Sequence, residues 1–235
     1  MEAAELKIFP DKDALARGAA DFIAARVLDN PGRVALCLTG GSTPEGMYKV
    51  LATKPLPWER IHIFWGDERF VPAGDPLSNA RMTMRALLDK VPVPDAHIHP
   101  IPTETSGPEE SAALYEKALK SFYGAEVLDP SKPLFDVVLN GMGDDGHTAS
   151  LFPGAPQLNE RLRWVVAAEP GMEPRVKRVT LTFPVLESCR SSLFLVAGAG
   201  KAAMLKKVLA GEDFPAARLK PRGDLSWFVD TAAVS

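Results

Sequence analysis

The stretch FDVVLNGMGDDGHTASLFPG, residues 135–154, indicates an α/β fold with a functional site at the end of a strand. FDVVL is an apolar run of strand length, whereas NGMGDDGHTASLFPG is too polar and too rich in glycine to lie in a core. The chain therefore leaves a buried strand and enters a loop, and loops at such positions commonly carry functional groups. His147, the imidazole in this loop, is the residue whose presence needs an explanation.

The same succession of apolar run and polar turn recurs on both sides of this stretch. Upstream, the apolar runs and the helical patterns that follow them are ELKIF with 11–28, RVALCLT with 43–53, IHIFW with 78–89, and HIHPI with 108–122. Downstream, the runs are RWVVAAE, RVTLTF, SLFLVAG and LSWFVD, with a helical pattern over 200–210. This βαβα order predicts a doubly wound, mostly parallel sheet with helices on both faces, formed as a single α/β domain over residues 1–235.

Composition and charge restrict the classes of function. The chain has 27 Lys and Arg residues against 30 Asp and Glu residues, a net charge of −3, so it lacks the basic surplus of a nucleic-acid-binding protein. Its start does not read as a signal peptide, and no run of about 18 apolar residues occurs. Cys37 and Cys189 have neither metal-ligand spacing nor a disulfide pattern. We therefore expect a cytoplasmic protein that binds no nucleic acid, membrane or metal.

The segment LTGGSTPEGMY follows the RVALC strand and has the features of a phosphate-binding turn. Gly40 and Gly41 end the strand, Ser42 or Thr43 would cap the next helix, and Pro44 would take its first position. Free backbone N–H groups and the positive end of the helix dipole suit a phosphate there. An ordinary capped turn explains the same residues equally well, and no Gly-Lys-Ser/Thr of a nucleotide P-loop follows.

Charged residues stand at two further strand ends. FWGDERFVP places Asp67, Glu68 and Arg69 in succession; adjacent side chains of an extended chain point to opposite sides, so Asp67 and Arg69 share a side. A salt-bridged surface turn is the alternative interpretation. In GAGKAAMLKKVL, Lys201 falls in the first turn of a helix, where the dipole disfavours a cation unless an anionic ligand offsets it. Because ligands of parallel sheets bind at the carboxyl ends of strands, these segments should converge.

The glycines at 141–146 match the dinucleotide fingerprint G-x-G-x-x-G, and two features oppose that interpretation. Asp144 and Asp145 would lie beside an anionic pyrophosphate, and Phe-Pro-Gly at 152–154 stops any helix within about two turns. The glycines can instead bend the backbone so that Asp145 and His147 enter one site. An aspartate beside an imidazole fixes its tautomer and stabilises its protonated form, as a general base requires.

Taken together, these segments resemble the 6-phosphogluconolactonase family. The similarity rests on LTGGSTPEGMY, FWGDERFVP with the following SNARMT, NGMGDDGHTASLFPG, RVTLTFP, GAGKAAML and the closing GDLSWFVDTAA, and so runs through nearly the whole chain. It implies a cytoplasmic enzyme of the oxidative pentose phosphate pathway that hydrolyses 6-phospho-D-glucono-1,5-lactone to 6-phospho-D-gluconate. It also implies no obligatory cofactor and a fold of the glucosamine-6-phosphate deaminase and ribose-5-phosphate isomerase type.

This resemblance gives each candidate residue a role. His147 would take a proton from water as the water attacks the lactone carbonyl, and Asp145 would orient its ring. Arg69 and backbone N–H groups of the glycine loops are candidates for stabilising the oxyanion, and Lys201 with the Gly40 turn would hold the phosphate. The substrate-binding candidates are Gly40, Gly41, Ser42, Thr43, Asp67, Arg69, Arg178 and Lys201. We expect a monomer that acts on a small sugar-phosphate lactone.

Two other functions are consistent with parts of the sequence. The related deaminases have a glutamate after the histidine, in a GHIAFNEP-like segment, and Asp-Glu-Tyr where this chain has Asp-Glu-Arg at 67–69. Here HTASLFPG contains no acid, so both differences favour the lactonase. A non-catalytic sugar-phosphate-binding domain is the third possibility, and it would not need Asp145 beside His147.

Overall fold

A computed structural model describes residues 4–235, which form a central sheet, a smaller second sheet and flanking helices. The strands are β1 Glu5–Phe9, β2 Val34–Leu38, β3 Ile61–Trp65, β4 Asp67–Arg69, β5 Phe135–Asn140, β6 Val165–Ala168, β7 Arg178–Leu181, β8 Cys189–Val196 and β9 Asp224–Asp230. The helices are α1 Lys12–Asp29, α2 Ser42–Leu51, α3 Asn79–Ala86, α4 Pro108–Tyr123, α5 Phe183–Leu186, α6 Ala202–Leu209 and α7 Pro215–Arg218.

The central sheet has six parallel strands in the order β1-β9-β8-β5-β2-β3. Strands β2 and β5 are buried along their whole length, as strands covered on both faces must be, which explains their continuous apolar runs. Helix α1 packs against β1, β5 and β9, and the buried side chains of sheets and helices form one contiguous core. The predicted class, a doubly wound and mostly parallel sheet with helices on both faces, is confirmed.

Local sequence signals account for where the helices begin and end. The Asp11 side chain accepts a hydrogen bond from the backbone N–H of Ala14 at 2.7 Å, and Ser78 accepts one from Arg81 at 3.1 Å. Each bond satisfies an N–H group that has no partner within the first turn of its helix. Helix α4 ends at Gly124, whose φ of 81° is in the left-handed region that glycine adopts without strain.

The second sheet was not predicted. Instead of extending the parallel sheet, RWVVAAE and RVTLTF form β6 and β7, which pair antiparallel with β4 in the order β4-β7-β6. The chain leaves the central sheet at Gly66, directly after β3, and the Gly66 carbonyl accepts a hydrogen bond from the backbone N–H of Leu181 at 2.9 Å. The antiparallel register sets Arg69 opposite Arg178, which brings two guanidinium groups to one side of the second sheet.

The predicted strand HIHPI is wrong. Its residues make a single parallel bridge, between Ile98 and Ile63 of β3, and the backbone N–H of His99 donates to the Ile63 carbonyl at 2.9 Å. Pro100 follows immediately, and because proline has no N–H it cannot continue a ladder of hydrogen bonds. The segment therefore covers part of the outer edge of β3 without becoming a seventh strand.

Three histidines meet at this edge. His62 Nδ1 lies 3.1 Å from His99 Nε2, and the His62 ring stacks on that of His97 with centroids 3.8 Å apart. The Arg33 guanidinium lies close by, 3.9 Å from the centroid of the Phe122 ring, against which His62 also packs. Burial, with the positive charge of His97, His99 and Arg33, lowers the pKa of His62 from 6.5 to about 4.

This cluster predicts a loss of stability in mild acid. Because the pKa of His62 is lower in the folded than in the unfolded chain, the unfolded chain binds more protons between about pH 6.5 and 4, and stability falls as the pH drops through that window. His62→Gln removes the titrating group, so its melting temperature should fall less than that of the wild type over the window. Thermal unfolding from pH 7.5 to 4 checks this; parallel curves for the two proteins would contradict it.

Candidate active site

A cavity of about 280 Å³ opens where the carboxyl ends of four central strands meet. The segments that follow β2, β3, β5 and β8 all contribute to its wall, as the sequence pattern predicts for a parallel sheet. Of the predicted site residues, those around the cavity are Gly40, Gly41, Asp67, Arg69, His147, Arg178 and Lys201. Asp145 contacts the cavity through His147.

The histidine and the aspartate of the glycine loop form a close pair. Asp145 Oδ1 lies 2.5 Å from His147 Nδ1 and also accepts the backbone N–H of His147 at 3.1 Å. Burial acts to raise the pKa of Asp145, but the hydrogen bonds and charge of His147 outweigh it, so that the pKa is lowered. The carboxylate thus holds Nδ1 as the donor and leaves Nε2 as the nitrogen that can accept a proton.

Gly143 makes this arrangement possible. A Cβ atom at position 143 would lie 2.0 Å from His147 Nδ1 and 2.7 Å from Asp145 Oδ1, closer than any side chain allows. The backbone of Gly143 also closes the loop: its N–H donates to the His147 carbonyl at 2.9 Å, and its carbonyl accepts from Gly146 at 3.1 Å. Gly146 has a φ of 79°, in the region that favours glycine. The glycines of the motif are therefore needed to seat the imidazole against the backbone.

Asp67 joins the second sheet to the histidine loop. Its carboxylate Oδ2 accepts the hydroxyl of Ser150 at 2.6 Å, and its backbone carbonyl accepts the Asn79 amide at 3.0 Å. The backbone N–H of Ser150 donates to the hydroxyl of Thr180 on β7 at 3.2 Å. The contacts of the Asp67 carboxylate fix the loop that carries His147.

Glu68 faces the other way, as the alternation of an extended chain predicts. Its carboxylate accepts the backbone N–H groups of Arg69, Asn79 and Ala80 at 2.7 to 2.8 Å and the hydroxyl of Ser78 at 3.0 Å. Burial raises the pKa of Glu68, although the three N–H groups act to lower it. The carboxylate thereby ties the start of α3 to β4 and sets Asn79 against Gly40, where a Cβ atom would lie 1.9 Å from Asn79 Oδ1.

Two guanidinium groups stand side by side in the cavity wall. Arg69 Nη1 donates to the Leu77 carbonyl at 2.7 Å, and Arg178 donates to the carbonyls of Pro174 and Val176 at 2.9 and 3.1 Å. Burial, together with the charge of Arg69, lowers the pKa of Arg178. Like charges directly opposite each other on paired strands destabilise a sheet, so this pair favours a site that binds an anion.

The Gly40 turn differs in detail from the prediction. The N-terminal cap of α2 is Gly41, with a φ of 108°, and no side chain, that of Ser42 or Thr43 included, accepts a capping hydrogen bond from the N–H groups of the first turn. The helix begins at Ser42 because the glycine conformation turns the chain one residue earlier than a Ser or Thr cap would. Ser42 and Thr43 are not among the described residues around the cavity. This turn therefore contributes only the backbone of Gly40 and Gly41 to the cavity wall.

Lys201 also lines the cavity and has an anionic partner. It lies in a short 3₁₀ turn, Ala199–Lys201, and is the residue before α6 rather than part of its first turn. Its ammonium Nζ is 2.5 Å from Oδ1 of Asp144, the neighbour of Asp145 in the glycine loop. The turn is held by Asp230, whose carboxylate accepts the backbone N–H of Gly198 at 2.9 Å.

Sequence reasoning missed several residues of this site, among them Asn79, Asp144 and Ser150. Asn79 belongs to SNARMT and Ser150 to HTASLFPG, so both were inside quoted motifs, but no spacing showed that they would meet Asp67. Asp144 entered only as an objection to a pyrophosphate. Its pairing with Lys201 depends on the order of β5 and β8 in the sheet.

A larger groove of about 980 Å³ runs along α4 and β6. Three of its charged side chains pair with one another: Lys120 lies 2.8 Å from Glu116 and 3.2 Å from Glu126. It contains none of the strand-end residues, and we therefore assign the chemistry to the smaller cavity.

Other kinds of site find no support in the described residues. Within residues 4–235, no three His, Cys, Asp or Glu side chains are grouped so as to hold a metal ion. Cys37 and Cys189 are free and buried, and burial raises the pKa of both thiols, which makes them poor nucleophiles. None of the helices in this part of the chain combines the length and apolar character that a membrane crossing requires.

Comparison with known proteins agrees with this site. The family model described as glucosamine-6-phosphate isomerases/6-phosphogluconolactonase matches residues 10–227. The chain belongs to this family. A 6-phosphogluconolactonase from Synechocystis is 40% identical over 238 residues, covering 98% of this chain and 97% of the relative. The resemblance seen in the sequence motifs is confirmed.

The fold of this family member also matches those of solved structures. The 6-phosphogluconolactonase from Thermotoga maritima superposes with a TM-score of 0.86 at 29% identity, covering 97% of this chain and all of that one. A monomeric glucosamine-6-phosphate deaminase superposes with a TM-score of 0.83 at 22% identity, covering 97% and 98% of the two chains. The deaminase therefore shares the fold, as the motifs predicted, and at that identity the likeness concerns the fold alone.

Proposed function

We propose that this family member hydrolyses 6-phospho-D-glucono-1,5-lactone to 6-phospho-D-gluconate, as a carboxylic ester hydrolase of the oxidative pentose phosphate pathway. The observation that carries the proposal is the 2.5 Å contact between Asp145 and His147 at the end of β5, inside the cavity formed by the strand ends. A domain that only binds sugar phosphates has no need of an imidazole whose tautomer is fixed in this way.

The geometry supports attack by water. His147 Nε2 takes a proton from water as its oxygen adds to the lactone carbonyl, and the imidazolium then returns a proton to the departing ring oxygen. Asp145 stabilises the charged ring in between. The Ser150 hydroxyl is bonded to Asp67 rather than to the histidine, and no G-x-S-x-G motif occurs, so a serine nucleophile is not required.

Positive groups flank the place where the substrate would lie. Arg69 and backbone N–H groups of the glycine loops are suited to stabilise the negative oxygen of the tetrahedral intermediate. Lys201, the turn at Gly40 and Gly41, and Arg178 are suited to hold the phosphate, because each reaches the same cavity. All these groups come from one chain, and we propose that the enzyme acts as a cytoplasmic monomer; light scattering coupled to gel filtration tests its oligomeric state.

A turnover assay tests the function. Freshly generated 6-phosphogluconolactone and glucosamine 6-phosphate are offered to the enzyme in parallel, and spontaneous lactone hydrolysis is subtracted at each pH. We expect turnover of the lactone alone, because residues 148–154 contain no acid to complete a deaminase relay. Turnover of glucosamine 6-phosphate at a comparable rate would support the deaminase instead, and binding of both without turnover would support a non-catalytic domain.

Removing the lysine should weaken the binding of phosphorylated ligands. Lys201→Ala deletes one charge-assisted contact, worth about 1.5 to 3 kcal/mol, so kcat/KM should fall roughly tenfold to a hundredfold, mainly through KM. Steady-state kinetics measure the change. Lys206→Ala is the matched control, since Lys206 is exposed on α6, the helix that Lys201 precedes, and is not among the described residues around the cavity. An unchanged KM for Lys201→Ala would place the phosphate elsewhere.

A further inference from the structure

We propose that Asp144 competes with the phosphate of the ligand for Lys201. In the free enzyme the Asp144 carboxylate forms an ion pair with Lys201, and this ion pair must break when a phosphorylated ligand binds. This inference rests on the proposed function in one respect, that Lys201 is a cation of the phosphate site. Asp144 would then set how tightly substrate and product are held. It would be a specificity-determining residue that acts on the charge of the ligand.

The geometry of the pair carries the proposal. Asp144 Oδ1 is 2.5 Å from Lys201 Nζ, and both residues line the cavity that holds His147. The Asp144 side chain is 68% exposed and that of Lys201 is 28% exposed. Within residues 4–235, the ammonium of Lys201 is the one polar group in contact with the Asp144 carboxylate, so nothing else retains it there.

The backbone beneath the pair shows why one carboxylate can move without the other. Gly143 and Gly146 close a turn through the bond between the Gly146 N–H and the Gly143 carbonyl, and Asp144 and Asp145 are its two central residues. Asp145 points to His147, with two hydrogen bonds to that residue, whereas Asp144 points to Lys201 with one contact. Leaving Lys201 therefore breaks no contact of the catalytic pair.

The difference in charge between the Asp144 carboxylate and a phosphate determines which of them binds Lys201. A carboxylate carries one negative charge, and a phosphate monoester carries about 1.5 to 2 near neutral pH with three acceptor oxygens. An exposed ion pair between a lysine and a carboxylate is a weak interaction, so the phosphate displaces it. A ligand without a strong anion would leave the pair closed. Because substrate and product carry the same phosphate, the competition raises KM and also hastens release of the product.

The experiment replaces the competitor and measures binding directly. Asp144→Asn keeps the size of the side chain and removes its charge, and calorimetry with inorganic phosphate and with 6-phosphogluconate reports the phosphate site without turnover. We expect both dissociation constants, and KM for the lactone, to fall about threefold to tenfold, while kcat does not rise. Asp29→Asn, an identical charge change at the exposed end of α1, should leave all three values within twofold of the wild type.

A second background tests whether the effect passes through Lys201. With Lys201→Met in place, Asp144→Asn should change the phosphate dissociation constant by less than twofold, because there is no cation left to free. If Asp144→Asn still lowered the phosphate dissociation constant by the full threefold to tenfold in the Lys201→Met protein, the proposal would be overturned. So would unchanged or weaker phosphate binding by Asp144→Asn alone, since weaker binding would mean that Asp144 holds Lys201 in place.

The two proposals fail in different measurements. If Asp144→Asn tightens phosphate binding but the wild type does not turn over the lactone, the proposed reaction is wrong and the competition stands. If the lactone is turned over and phosphate binding is unaffected by Asp144→Asn, the reaction stands and the competition is wrong.

Discussion

His147→Gln should lower kcat for the phosphorylated lactone by about 10² to 10⁴, or roughly 3 to 5 kcal/mol of barrier. Glutamine preserves the approximate size and one hydrogen-bonding end but cannot accept and return a proton near neutral pH. The product 6-phosphogluconate should still bind, because its phosphate contacts do not involve the imidazole.

Two variants serve as comparisons for this result. Asp145→Asn should show a smaller defect of the same kind, because it disturbs the 2.5 Å contact with His147 Nδ1 and acts on the base indirectly. His62→Gln makes the same substitution at the edge of β3, outside the cavity, and should retain activity at pH 7.5. A folded His147→Gln protein that binds product and turns over within a few-fold of the wild type would refute the mechanism and direct the search for the base to Asp67.

Gly143→Ala should lower kcat by about 10² although it removes no functional group. The added Cβ atom would lie 2.0 Å from His147 Nδ1, so the imidazole must shift, and a displacement of about 1 Å of a catalytic group can reduce the rate by that factor. Steady-state kinetics after subtraction of spontaneous hydrolysis give the rate. The melting temperature and the affinity for 6-phosphogluconate show whether the variant is folded and still binds.

The matched control lies two residues earlier in the same loop. A Cβ atom at Gly141 meets no heavy atom within 4 Å, so Gly141→Ala should reduce kcat at least tenfold less than Gly143→Ala does. Equal defects in the two variants would show that the loop tolerates no side chain at all. In that case the close approach of His147 to Gly143 would not be the cause.

The parts of the fold that depend on local sequence patterns could be predicted. The strands β2, β3, β5, β8 and β9 each overlap a predicted apolar run, because burial on both faces demands continuous hydrophobic sequence, although β8 begins three residues before its run. Whether a strand pairs parallel or antiparallel, and in which sheet, is not visible in such an apolar run. β6 and β7 have the composition of central strands, but β7 pairs with the three residues of β4, which the turn at Gly66 sends out of the main sheet.

In the candidate site, too, contacts between residues close in sequence could be predicted, and contacts between distant segments could not. Asp145 and His147 are two residues apart, and the glycines around them were enough to predict that they would meet. The contacts of Asp67 with Ser150 and of Asp144 with Lys201 join distant parts of the chain and depend on the order of strands in the sheet. The cap at Gly41 was missed for another reason: glycine competes with Ser42 for the cap through its backbone, which residue preferences do not show.

The outer edge of β3 is partly covered by the segment that contains Ile98. An edge strand with free N–H and C=O groups can pair with a second molecule and begin aggregation. Here the bridge between Ile98 and Ile63 occupies part of that edge, and Pro100 prevents the bridge from growing into a strand that would present a new edge. A segment too short to count as part of the sheet thus leaves less of this edge available for pairing with a second chain.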